Sequence, residues 1–183
     1  MPYDPRFEQK TTEAAALFIQ LCGGRVKYIK LLKLLYYADR EAFAQWERPI
    51  TYDSYAAMYH GPVLSSTYDL IMGRYPKSVG WNDYIATEGY YVHLKNKPPA
   101  FKKLSPAEID LIQAIHAKYG SIEHFELSRR SHRLPEYKEP PKGSSAPISL
   151  DELLSALEYS PEDINRIISE VKEESSIAAF FGA

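Results

Sequence analysis

Apolar residues in the first half of the chain recur at helical spacing, and glycines and prolines punctuate the segments they define. Ala14, Leu17, Phe18, Leu21 and Cys22 fall on one face of a first helix, which Asp4-Pro5 can open and Gly23-Gly24 stop. From Val26 to about Gln45 the pattern broadens. Leu31, Leu34, Leu35, Ala38 and Ala42 form one apolar face, and Tyr28, Leu32 and Tyr36 add a second. A helix apolar on two sides belongs at the centre of a fold. Only its stripe Lys30, Lys33, Tyr37, Arg40 and Glu41 is then left to meet solvent or a partner.

The pattern changes between Trp46 and Val63, where Pro49, Pro62, Gly61 and the run Tyr55 to Tyr59 predict an extended loop crossing the core. Ser65 or Ser66 can cap a short helix to about Met72, with Gly73 and Pro76 ending it. Trp81 to Ala86 and Tyr90 to Lys95 flank Thr87-Glu88-Gly89 and predict a β-hairpin, which alone is marginal and must lean on the helices. Ser105-Pro106-Ala107-Glu108 is the clearest helix start, with Gly120 as the stop and Ser121 capping a short helix to about Ser131. Lys138 to Pro147 reads as an exposed linker, and Ser149 and Ser160 open two more helices. The expected class is mainly α: a compact helical domain with a small β-hairpin and a crossing extended loop. Residues 1–137 would form the helical core, 138–148 a Pro/Gly/Ser linker, and 149–183 a C-terminal helical extension packing on the core.

A chain of 183 residues, 45% of them hydrophobic, suffices for one well-buried core. Its formal net charge of −2 gives no overall pull toward phosphate backbones or anionic membranes, so neither nucleic acid nor membrane is an expected partner. The single cysteine, Cys22, has no internal disulfide partner, and the start Met1-Pro2-Tyr3-Asp4 lacks the basic, then apolar, pattern of a leader. A cytoplasmic setting is expected. The 15 tyrosines stand out, because Tyr joins a large apolar ring to a hydroxyl and suits surfaces buried only in a complex, or equally the edge of a core.

Chemistry finds little support in the motifs. Gly-x-Ser-x-Gly is absent, and Cys22 lies on the apolar face of the first helix as a packing residue. His116, His124 and His132 recur every eight residues, but eight residues of helix separate them by roughly 12 Å, and Gly120-Ser121 interrupts the run. Neither phosphate-binding glycine motif occurs. No catalytic residue, metal or cofactor is expected. Arg129, Arg130, His132 and Arg133, flanked by Glu123, Glu126 and Glu136, read as a salt-bridged surface.

The segment Lys30-Leu31-Leu32-Lys33-Leu34-Leu35-Tyr36-Tyr37-Ala38-Asp39 resembles the Panacea domain of SocA-like antitoxins, where a Leu-rich helix ends in Tyr-Tyr-Ala-Asp. Arg48-Pro49-Ile50-Thr51 and Ala57-Met58-Tyr59-His60-Gly61-Pro62-Val63, followed by Tyr68, resemble the family's next block. Leu104-Ser105, Glu108, Tyr119-Gly120, Leu127 and Ser131-His132 match it more loosely. His60 departs from what many members carry before Gly-Pro. The resemblance implies a mostly helical fold with a small β element, encoded beside a toxin gene in bacteria or phages. It implies neutralisation of a toxin protein by direct contact and, in the SocA branch, delivery of that toxin to the ClpXP protease. It marks Leu31, Leu34, Tyr36, Ala38, Asp39, Pro49, Gly61, Pro62, Val63 and Tyr68 as structural motif residues.

A binding function needs anchors, and Tyr37, Tyr55, Tyr59 and His132 are the candidates. Each is as readily a core residue. Two other classes stay open: a nucleic-acid-binding regulator, and an enzyme in which His60, Asp39 and His132 converge. The apolar tail Ile177 to Ala183 is read either as a protease-recognised end or as a segment docked on the core or on a second copy of the chain.

Overall fold

In a computed structural model, which describes residues 5–75, 78, 80–95 and 97–181, α1 spans Pro5–Leu21. Asp4 and Pro76, expected as helix boundaries, lie outside the described residues. Gly23 and Gly24 take φ of 86° and 89° and donate their amides back to Gln20 and Ile19, the left-handed exit that glycine makes without steric cost. Val26 lies in a short strand, β1 (Arg25–Lys27), and α2 (Tyr28–Trp46) starts after it.

α2 is central. It packs against α1, α5 (Pro106–Tyr119), α6 (His124–Ser131) and β3 (Gly61–Leu64). Leu31, Leu34, Ala42 and Phe43 have no exposed surface, and each such Leu contributes about 2 kcal/mol through its removal from water. The polar stripe expected to face outward is instead largely taken up by contacts inside the fold. Lys30 Nζ donates to the Gly120 carbonyl (2.6 Å), Tyr37 stacks on Tyr119, and Arg40 Nε donates to Glu136 (2.8 Å). Lys33 is only 1% exposed. Glu41, half-buried and paired with Gln45 one turn on, is the member of the stripe without a partner from another element among the contacts described.

The expectation of a mainly α fold is corrected by two three-stranded antiparallel sheets. The chain is 54% helical and 14% strand, a mixed α/β architecture with eight helices among the described residues. In the first sheet the hairpin β4 (Ile85–Glu88) and β5 (Tyr91–Leu94) gains β1, in the order β1-β5-β4. Val26, Ile85 and Val92 bury its inner face. Trp81–Tyr84, expected as strand, is instead the single helical turn α4, whose Trp81 amide donates to the buried Glu8 carboxylate on α1 (2.9 Å).

The expected crossing loop is the second sheet. β2 (Tyr55–Met58) turns through Tyr59-His60 into β3, and β6 (Ser145–Ile148) pairs with the other edge of β2, giving the order β3-β2-β6. Pro62 stands opposite Ala57 on one side and Pro147 opposite Ala56 on the other. Adjacent β2 residues direct their amides to opposite edges, so each proline, having no N–H, occupies a position that faces away from β2.

Helix caps follow both local and distant logic. Ser105 and Ser149 form the expected capping boxes for α5 and α7 (Leu150–Ala156). α6 is capped by Glu123, not Ser121. α3 (Ser65–Ile71) is capped from afar: the Asp53 carboxylate accepts from the amides of Ser66 (2.9 Å) and Thr67 (2.8 Å). α8 (Pro161–Phe181) follows α7, with Ile164, Ile167 and Val171 in the core and Arg166 paired to Glu47 of α2's C-terminal cap. The side chains of the tail, and its last two residues, lie outside the described residues. No helix among the described residues is long and apolar enough to cross a membrane.

Candidate functional site

Two polar nodes hold the second sheet against α2. The first is Asp39, fully buried, whose carboxylate accepts from the amides of Ile50 (2.9 Å) and Thr51 (3.0 Å) and the hydroxyls of Thr51 (2.5 Å) and Tyr55 (2.9 Å). These bonds fasten the approach to β2 onto the helix. Burial pushes the Asp39 carboxyl up to about 6, against the pull of its donors, and drives the Tyr55 hydroxyl well above its ordinary value. The Tyr36 ring meets Tyr55 edge-on, centroids 5.5 Å apart, and its hydroxyl donates to Glu136 (3.0 Å).

The second node lies where β3 begins. Lys33 Nζ donates to the Pro62 carbonyl (2.6 Å), the oxygen that β2 leaves without an N–H partner. Desolvation lowers the Lys33 pKa well below its ordinary value. Gly61, at φ 96°, fits between Lys33 and Ser131 of α6, and the Ser131 hydroxyl donates to the Ser128 carbonyl (2.7 Å). Tyr137 donates its hydroxyl to the Met58 carbonyl (2.9 Å), and His132 stacks on the Tyr137 ring at 4.7 Å.

Outside these nodes a groove of about 610 Å³ runs between the start of α2, the β2–β3 turn, α3 and the approach to β6. Tyr28, Tyr59 and Tyr68 line it, with His60, Arg74 and Ser144, and Lys33 is part of its inner wall. Tyr28 lies 6.4 Å by ring centroid from both Tyr68 and Tyr90. The Arg74 guanidinium sits 5.4 Å from the centre of the Tyr68 ring and pairs with Asp69. Lys142 Nζ stands 6.0 Å from the centre of Tyr59. α2 opens here with no side-chain cap and no acidic residue in its first turn, and its Tyr28 amide donates to the Tyr90 carbonyl (3.0 Å).

The four residues expected as anchors fall in different places. Tyr59 is 41% exposed at one end of the groove. Tyr55 is in the core, its hydroxyl engaged by Asp39. Tyr37 is buried flat against Tyr119 at 4.5 Å, and this burial pushes its hydroxyl up to about 12. His132 is half-buried, which lowers its imidazole pKa. Among the motif residues, Leu31, Leu34, Tyr36, Ala38, Asp39, Pro49, Gly61, Pro62 and Val63 are all buried, while Tyr68 borders the groove.

The Asp39 carboxylate accepts its four hydrogen bonds from Ile50, Thr51 and Tyr55, and none of them comes from His60 or His132. Cys22 packs against the core, and burial pushes its thiol up. Among the described residues, no three His, Cys, Asp or Glu side chains are grouped to hold a metal ion. Arg74, Lys142 and Asp53 did not stand out in the sequence, because they lie in connections where neither periodicity nor a local motif marks them.

The family model described as antitoxin SocA-like, Panacea domain, matches residues 31–138. The chain belongs to this family. An antitoxin role, with a toxin as partner in general, follows from Panacea membership. Neither a curated protein nor a solved structure matches the chain. The Panacea match contributes Lys33, Tyr59, His60, Tyr68 and Arg74 to the groove, whereas Tyr28 and Ser144 come from either side of it.

Proposed function

We propose that this antitoxin neutralises its toxin by direct protein contact, and that the groove lined by Tyr28, Tyr59 and Tyr68 receives part of the toxin. The observation that carries the reading is the concave clustering of three tyrosines, one of them Tyr59 at 41% exposure, over an inner wall fixed by Lys33 and Gly61. Large aromatic rings on a rigid support lose little side-chain freedom on binding, and they dominate the energetics of protein interfaces. The reading is of a binding protein and not an enzyme, with residues 1–137 as its core and 149–183 as an extension packed on that core. Of the four anchors expected from the sequence, it rests on Tyr59.

The deciding experiment co-expresses the chain with the product of its neighbouring gene and scores growth and co-purification together. Rescue with a stable complex supports direct neutralisation. Rescue that persists with no complex formed removes it. Delivery of the toxin to a ClpXP-type protease is a separable second step: under this reading the toxin's half-life in cells shortens when the antitoxin is present and ClpX is active. An unchanged half-life leaves blockade alone.

A further inference from the structure

The groove and its rim carry a small excess of positive charge. Its lining includes one carboxylate, Asp69, and that carboxylate is already paired with Arg74. Arg74 uses one nitrogen of its fork on Asp69, and its remaining N–H groups make no hydrogen bond among the described residues. Lys142, its Nζ 6.0 Å from the centre of the Tyr59 ring, makes no ion pair among the described residues. Two exposed cations thus stand near two of the groove's aromatic rings, Arg74 in its lining and Lys142 at its rim beside Gly143.

We infer that the toxin segment received by this groove is acidic, with its aspartate or glutamate carboxylate held by Arg74 and Lys142 while its apolar neighbours pack on Tyr28, Tyr59 and Tyr68. The inference rests on the groove reading above and names the chemistry of what enters. An Arg fork donates two parallel hydrogen bonds to a carboxylate, and the Arg74 guanidinium stands 5.4 Å from the centre of the Tyr68 ring. Lys142 adds charge without fixed geometry. Complementary charge of this kind acts mainly on encounter rate and partner choice, and the aromatic contacts supply the remaining affinity. A basic segment would meet the unpaired Lys142 and the N–H groups of Arg74 that Asp69 leaves free, neither of which offers it an acceptor.

The test uses the full chain and the toxin that it rescues on co-expression. A photoreactive phenylalanine analogue replaces Tyr59, and the toxin peptide captured on illumination is sequenced. The captured segment is expected to contain Asp or Glu. Arg74→Glu with Lys142→Glu is expected to weaken the complex by at least about tenfold with an unchanged melting temperature. A toxin variant whose captured acid is changed to Lys should restore binding to that double variant. Capture of a segment without an acid, or a double variant that binds like the parent, overturns the acidic occupant and leaves the groove as the binding surface. Neutralisation with no capture at position 59 overturns the groove itself, and the inference falls with it.

Discussion

Gly61 faces Ser131 with no space for a side chain between them: a β-carbon on Gly61 would overlap the Ser131 hydroxyl and lie 3.0 Å from Lys33 Nζ. Gly61 also holds φ at 96°, a region that residues with a β-carbon rarely adopt. Gly61→Ala is therefore expected to destabilise the fold by about 2 kcal/mol or more. Ser131→Ala in the same chain should restore part of the loss, by removing the overlap while leaving the backbone strain. Urea unfolding of the two single variants and the double variant measures this, and strictly additive losses would show that the contact is not the cause.

Asp39→Ala leaves two buried amides and two hydroxyls without their acceptor. Each such loss costs about 1–3 kcal/mol where water does not enter, so the variant should lose at least about 3 kcal/mol. Asp39→Asn keeps one oxygen for the Ile50 and Thr51 amides and should fall between the two. Thermal denaturation of all three chains gives the order, and equal melting temperatures for parent and Ala would remove Asp39 as the fastening of β2 to α2.

The same residue sets a pH dependence. Its carboxyl titrates near 6 in the fold against an ordinary value of 3.8, so the folded chain holds the proton more tightly than the unfolded chain. The Asp39 contribution is therefore greatest below pH 3.8 and declines as pH rises through about 6, by a total on the order of 3 kcal/mol. Subtracting the stability–pH curve of Asp39→Asn from that of the parent isolates this residue. A difference that rises with pH across the window contradicts the assignment.

Tyr55 and Tyr59 should respond in opposite ways. Tyr55→Ala removes a buried ring and its bond to Asp39, and should lower the melting temperature and, with it, all function. Tyr59→Ala should leave the melting temperature in place and weaken toxin binding by about 2 kcal/mol or more. Calorimetry of each variant, alone and with toxin, separates the two effects. Full binding by Tyr59→Ala would move the interface elsewhere.

What the sequence made legible was local. The capping boxes at Ser105 and Ser149 and the stop at Gly23-Gly24 are written in residues three or four apart, and the helices form where those signals lie. Distant partners were hidden. Asp53 caps α3 from 13 residues away, and β6 finds β2 across nearly half the chain, with Tyr55 opposite Ile148. A segment as rich in Pro, Gly and Ser as 138–147 carries no strand signal of its own, so β6 exists only through its pairing. The α2 stripe misled for a related reason: periodicity separates polar from apolar faces but does not show how many neighbours enclose a helix. At the groove, Tyr59 was legible from its motif, while Arg74 and Lys142 gain meaning only from the rings beneath them.

The family match stops at residue 138, yet the second sheet does not: β6 closes it from residues 145–148. A chain ending at the match would lack the strand that covers one edge of β2, together with α7 and α8, which bury Leu153, Leu154, Ile164, Ile167 and Val171. The register leaves Tyr55 and Ala57 as the positions whose backbone groups face that edge, and they would then be open to a strand from another molecule. A shortened version ending at the match would thus be prone to self-association, whereas a nick between residues 138 and 145 leaves β6 paired and tethered to the packed helices that follow it.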